Sequence, residues 1–193
     1  MATAVQTSKR QISEAATDVG PAMSKEALMK KLQSEKGLLP ATWLSLYTLE
    51  ASNGKSQVET LNILESAIVN VPAPTKEAVE ARPSLVQEYN VLWVKFSNAI
   101  RREPIEGARK IFEKMATHDS IKVNAYFYSA WSFVESSFNQ LEQARRVLLL
   151  GIERRASPSK QLQLALQRLS PSDPVVVPGY CILYLFNYII LSA

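Results

Sequence analysis

Two stretches of this chain follow nearly the same pattern, Glu106-Gly107-Ala108-Arg109-Lys110-Ile111-Phe112 and Glu142-Gln143-Ala144-Arg145-Arg146-Val147-Leu148, and they lie 36 residues apart. A repeat of that length is one helical hairpin, and a single hairpin cannot bury its own apolar face, so neighbouring copies must stack to make a core. The constraint is severe. It selects an extended helical stack, which reads as a scaffold for binding.

A stack needs about three units to cover its apolar ends, and a third copy lies upstream. Each copy sets a small residue four places before a large one: Ala108 before Phe112, Ala144 before Leu148 and Thr60 before Leu64. The small residue lets the second helix of a hairpin approach the first, and the large one fills the groove between them. Ala67 and Pro72 fall where a tetratricopeptide unit has its second alanine and its closing proline.

The 47% apolar content is enough for a packed core, and with only six glycines and apolar residues at three-and-four spacing little room is left for strands. The expected fold class is all-α, an α-solenoid of three tetratricopeptide-like helix-turn-helix repeats plus a C-terminal capping helix. Three segments follow: residues 1–36 as a flexible N-terminal extension carrying a short helix that forms on binding, 37–170 as the repeat domain, and 171–193 as an apolar tail. Cys181 is the only cysteine, and the N-terminus does not read as a secretory leader, so a reducing intracellular compartment is expected.

Local signals place the helices. Ser24 to Lys36 has helix-forming composition with a sparse stripe of Leu28, Met29 and Leu32, and Gly37 ends it. Pro40 opens a helix in which Trp43, Leu44, Leu46, Tyr47 and Leu49 leave almost no polar face, which requires burial on more than one side. Ser56-Gln57-Val58-Glu59 and Ser84-Leu85-Val86-Gln87 both read as capping boxes, with an extended connection between Pro72 and Pro83. Leu85, Tyr89, Leu92, Trp93, Phe96 and Ile100 form one stripe, and Glu103-Pro104 opens the next helix. In the third unit Asn139 is expected to cap a helix whose stripe is Leu141, Ala144, Val147, Leu148 and Ile152, and Ser157-Pro158 starts the closing helix.

Nothing in the chain spells an active site. There is no glycine-rich phosphate loop, no kinase signature and no metal-spaced His/Cys cluster, so no catalytic, cofactor-binding or metal-binding residue is assigned. His118, the only histidine, sits in a polar turn without a second catalytic group beside it. The tryptophans recur at helix-packing spacing and read as core. Arg101 to Arg168 carries twelve Lys or Arg against seven Asp or Glu, yet aromatic residues are not interleaved for base stacking. Arg109, Arg145 and their neighbours therefore read as solvated helix faces, and nucleic acid is not the expected partner. Ser157 and Ser170, each followed by proline, are candidate phosphorylation sites, although Ser157 also suits a helix N-cap.

Several phrases resemble the N-terminal tetratricopeptide module of the monopolar spindle checkpoint kinase (TTK) family, which is related to Bub-type checkpoint proteins. They are Trp43-Leu44-Ser45-Leu46, Glu103-Pro104 with Ala108-Arg109, and Glu153-Arg154-Arg155-Ala156-Ser157-Pro158 with Leu164-Ala165-Leu166-Gln167-Arg168-Leu169. The likeness runs from about Pro40 to Leu169. It implies a module that brings a dual-specificity kinase to kinetochore proteins and contributes to self-association as a homodimer, in the nucleus and cytoplasm. It carries no catalytic role over to any residue here. The rival class is the half-a-tetratricopeptide scaffold of RNA processing, whose pattern Ala108-Arg109-Lys110-Ile111-Phe112-Glu113 fits well, although unit two alone matches in full.

As candidate partner-binding residues, the polar positions on the first helix of unit two are Asn90, Lys95, Asn98 and Arg101. The apolar run from Val175 to Leu191 reaches the roughly 20 residues of a membrane span only by including Pro178 and Gly179. It is read as an alternative C-terminus, with a tail anchor as the rival.

Overall fold

A computed structural model describes residues 23–169, which form ten helices packed in sequential pairs and, among the described residues, no strand. The elements are α1 Lys25–Ser34, α2 Pro40–Ser52, α3 Gln57–Asn70, α4 Lys76–Ala81, α5 Ser84–Ile100, α6 Ile105–Met115, α7 Asp119–Lys122, α8 Ala125–Ser137, α9 Leu141–Glu153 and α10 Ser159–Arg168. α2 packs on α3, α3 and α2 on α5, α5 and α6 on α8, α8 on α9, and α10 on both α8 and α9. Thr60, Ala108 and Ala144, the small residues of the sequence pattern, are all buried.

The core runs unbroken from Leu61 on α3 to Leu162 and Ala165 on α10. Its middle is aromatic. Trp93 meets Phe96 edge-on, Phe96 meets Phe112, and Phe112 lies flat on Trp131 with ring centroids 5.4 Å apart and planes 3° from parallel. These contacts tie α5 to α6 and α6 to α8 at once, so the large flat side chains connect one helix to the next.

Residues 24–36 differ from the expectation of a flexible extension whose helix forms on binding. α1 is capped by Ser24, whose hydroxyl accepts the Ala27 amide, and it packs Leu28 and Leu32 against Leu46 of α2, with Trp43, Leu49 and Ile63 around them. The physical reason lies in α2, whose apolar residues face two ways: one face joins the main core, and α1 covers the other together with Ile63 of α3. A Schellman turn joins the two helices. Lys36 takes φ +53° and Gly37 φ +68°, the Gly37 amide donates to the Leu32 carbonyl, and the Gly37 carbonyl accepts the Trp43 indole N–H. Residues 1–22 and 170–193 lie outside the described part, and with them the apolar tail, Ser170 and Cys181.

The Ser56–Glu59 capping box forms in full. The second does not: α5 begins at Ser84 itself with Pro83 before it and no side-chain cap, while Arg82 grips Glu88 with two hydrogen bonds of 2.7 and 2.9 Å. Part of the connection expected to be extended is helical, since Thr75 caps α4. Asn139 does not cap α9 either. It takes φ +60° as the left-handed residue closing α8, with the Gln140 amide donating to the Glu135 carbonyl. Asparagine tolerates that conformation nearly as glycine does, so this signal pointed at the wrong helix. Leu141 and Ile152, expected inside, are 49% and 39% exposed, because α10 covers the other side of α9.

Candidate protein-interaction surface

The four polar positions singled out on α5 do not share one environment. Along a helix each residue turns about 100°, so Lys95 and Arg101 leave α5 toward its two neighbours. Lys95 sets its ammonium over the Tyr47 ring of α2, 6.0 Å from the centroid, and Arg101 sets its guanidinium over the Phe133 ring of α8 at 5.7 Å. Asn98 lies half-buried between them, and Val91 and Val94 reach the surface on the same side. Neither Lys95 nor Arg101 forms an ion pair among the described residues. A cation held over a ring face is partly desolvated yet keeps its charge unneutralised, which suits it to meet a carboxylate.

Asn90 does not belong to this surface. It is 4% exposed and sits beside Tyr89, on the side of α5 that also carries the buried Ser97. Its side-chain oxygen and nitrogen both lack a hydrogen-bond partner. A partner docking on the Lys95–Arg101 face of α5 cannot reach it, and its assignment as a contact residue is withdrawn. Polarity alone placed it outside. The helix turn places it inside.

The joint between α6 and α8 carries a two-point charge pairing with a fully buried carboxylate. Glu135 is fully buried. Arg109 donates from Nε to Oε1 at 2.9 Å and from Nη2 to Oε2 at 2.7 Å, and the Trp131 indole donates to Oε1 at 3.0 Å. A third Arg109 nitrogen reaches Glu106 at 2.9 Å. Arg109 is therefore no solvated bystander. Its pKa is driven above the ordinary arginine value, chiefly by the hydrogen bonds to Glu135, so it is a permanent cation in the joint. Nothing local in the sequence marks Glu135, which follows the buried Phe133 and Val134 and precedes Ser136 and Ser137.

Near the start of α8, Asn124 donates to the Tyr89 hydroxyl at 2.7 Å and Tyr89 meets Tyr126 edge-on. Burial pushes the Tyr126 phenol up to about 12 and raises Tyr89 as well, against the opposing hydrogen bond of Asn124. These tyrosines pack as structure, since both stay protonated through the physiological range.

The remaining candidates are placed plainly. His118 is exposed just before α7. Ser157 is exposed but does not cap α10, whose N-cap is Pro158 without a side-chain bond; the Ser157–Pro158 peptide is cis. Among the described residues no cluster of His, Cys, Asp and Glu has the arrangement to hold a metal ion, and no helix is long and apolar enough to cross a membrane. No protein-family model matches the chain, and a search of curated proteins finds no significant relative.

Proposed function

We propose that this chain is a non-catalytic protein-interaction and targeting module. In this reading α2–α3, α5–α6 and α8–α9 are three tetratricopeptide-like hairpins, α10 closes the stack, and the module resembles the kinetochore-localising region of a spindle checkpoint kinase. The observation that carries the reading is the α5 surface, where Lys95 and Arg101 are held on the rings of neighbouring helices with no carboxylate among the described residues to neutralise them. Three consecutive first helices thus contribute to one continuous strip, the place where stacked hairpins offer their inner face to a partner. An acidic segment of a protein fits such a strip, with Val91 and Val94 supplying apolar contact between the charges.

The test is localisation of the tagged full chain in mitotic cells depleted of the native protein. Kinetochore signal that vanishes in Lys95→Glu/Arg101→Glu, with the helical content unchanged, is the expected result. Signal that survives the double reversal moves the contact to α1. Co-purification with splicing or cleavage factors in place of kinetochore proteins replaces this reading by the RNA-processing scaffold, for which the Arg109–Glu135 contact between successive units is the favouring observation.

A further inference from the structure

We propose that Ser157 is the phosphate acceptor for a proline-directed protein kinase, and that the phosphate is then held by the cations gathered where α9 meets α10. The sequence around it reads Arg154-Arg155-Ala156-Ser157-Pro158-Ser159-Lys160, with proline directly after the serine and a cation three places on. Proline has no N–H to leave unsatisfied in a kinase groove, and the lysine can answer an acidic group at its rim. Ser170 is also followed by proline, but the residue three places on is Asp173, of the opposite charge.

The fold presents Ser157 rather than using it. Its amide donates to the Val123 carbonyl and its carbonyl accepts the Ala125 amide, both at 2.9 Å, so the main chain is fixed against the start of α8 while the side chain stays exposed. The hydroxyl has no capping duty. Beside it opens a cavity of about 380 Å³ lined by Ile152, Arg155, Ala156, Ser157, Ser159 and Gln163. Among the described residues no carboxylate lines that cavity. Arg154, Arg155 and Lys160 are all exposed and in no ion pair among the described residues, although Arg154 also reaches the Tyr128 hydroxyl at 3.3 Å.

In the transfer, Ser157 Oγ forms a bond to the γ-phosphorus of ATP while the bond to the β,γ-bridging oxygen breaks. The hydroxyl proton passes to the kinase's catalytic base, and ADP leaves. The product carries a charge of about −1.5 to −2 at neutral pH, close in sequence to Lys160 in the first turn of α10 and to Arg154 and Arg155 just past the end of α9, none of them in an ion pair among the described residues. Modification should therefore tighten the end of the stack, where α10 closes the core through Leu162 and Ala165.

The experiment uses the full chain in a Ser170→Ala background, with ATP, Mg²⁺ and a cyclin-dependent kinase, and in parallel the cyclic-AMP-dependent kinase, which reads arginines upstream. Site-resolved mass spectrometry should find the phosphate on Ser157 with the first enzyme and none in Ser157→Ala. The thermal midpoint should rise by about 2–5 °C, and the rise should shrink in high salt. In Arg154→Gln/Arg155→Gln the phosphate should still be accepted and the rise lost. A folded chain that takes no phosphate at Ser157, or takes it only from the arginine-reading kinase, overturns the acceptor assignment. A midpoint that stays or falls on modification overturns the grip.

Discussion

Two glutamates lie buried at two joints of this molecule, and their surroundings differ. Glu50, between α1 and α2, meets the ammonium of Lys25 at 3.0 Å, and that lysine side chain is 52% exposed. Glu135, between α6 and α8, is held by two guanidinium nitrogens and an indole, and the Arg109 side chain is 26% exposed. A buried carboxylate is costly unless its lone pairs are satisfied. The second joint meets that condition through a planar fork and a fixed ring. The first depends on a flexible amine that water can replace. The comparison teaches that the stack is firmest around α8, and that α1 is its more easily detached element.

The largest expected effect comes from breaking the firmer joint. Arg109→Ala leaves Glu135 buried without its cation and should cost about 3–5 kcal/mol of stability in denaturant unfolding. A loss no greater than that of Lys25→Ala would erase the contrast. Replacing Arg109 and Glu135 together by leucine should recover most of the deficit, because no charge is then stranded.

Alkaline titration acts on the neighbouring α5–α8 joint. Tyr126 ionises near 10 in the unfolded chain and only at about 12 when folded, so its contribution is whole below pH 10 and is lost as pH rises through 12. The destabilisation should reach about 2–3 kcal/mol across that window, with Tyr89 adding to it in the same direction, and Tyr126→Phe should flatten the curve. A curve as steep in Tyr126→Phe as in the parent chain would remove this tyrosine from the account.

Between α8 and α9 the Tyr128 side chain lies so close over Gly151 that a Cβ there would be 2.7 Å from its ring. Gly151→Ala should cost about 1–3 kcal/mol by overpacking despite alanine's better helix propensity, and Ala144→Leu should fall in the same range. Thermal melting separates these from a neutral result, which would mean that α9 shifts freely. The smallest effect belongs to the N-terminal joint. Lys25→Ala should cost only about 1 kcal/mol, since the amine is half in water, and hydrogen exchange should show α1 opening before α8. If α8 opens first, the ranking of the two joints is reversed.

Much of the fold was legible because it depends on local periodicity. The stripes Leu61 to Val71 and Leu85 to Ile100, the small residues Thr60, Ala108 and Ala144, and the Ser56–Glu59 box need only the chain within one or two turns to be recognised. The candidate surface was less legible. Lys95 and Arg101 were found on α5, but Asn90 was mistaken for a surface residue because polarity says nothing about which neighbour a helix turn faces.

The sequence by itself thus determined that the chain is helical, where most helices run and which faces are apolar, since helix periodicity and capping are short-range chemistry. Only the tertiary structure decided that α1 belongs to the packed unit, that Glu135 is inside with Arg109 as its partner, and that Asn139 closes α8 instead of opening α9. Each of these depends on contacts between helices or on a backbone conformation several residue types can adopt. Glu135 and Arg109 are 26 residues apart in sequence and meet only when α6 and α8 are packed.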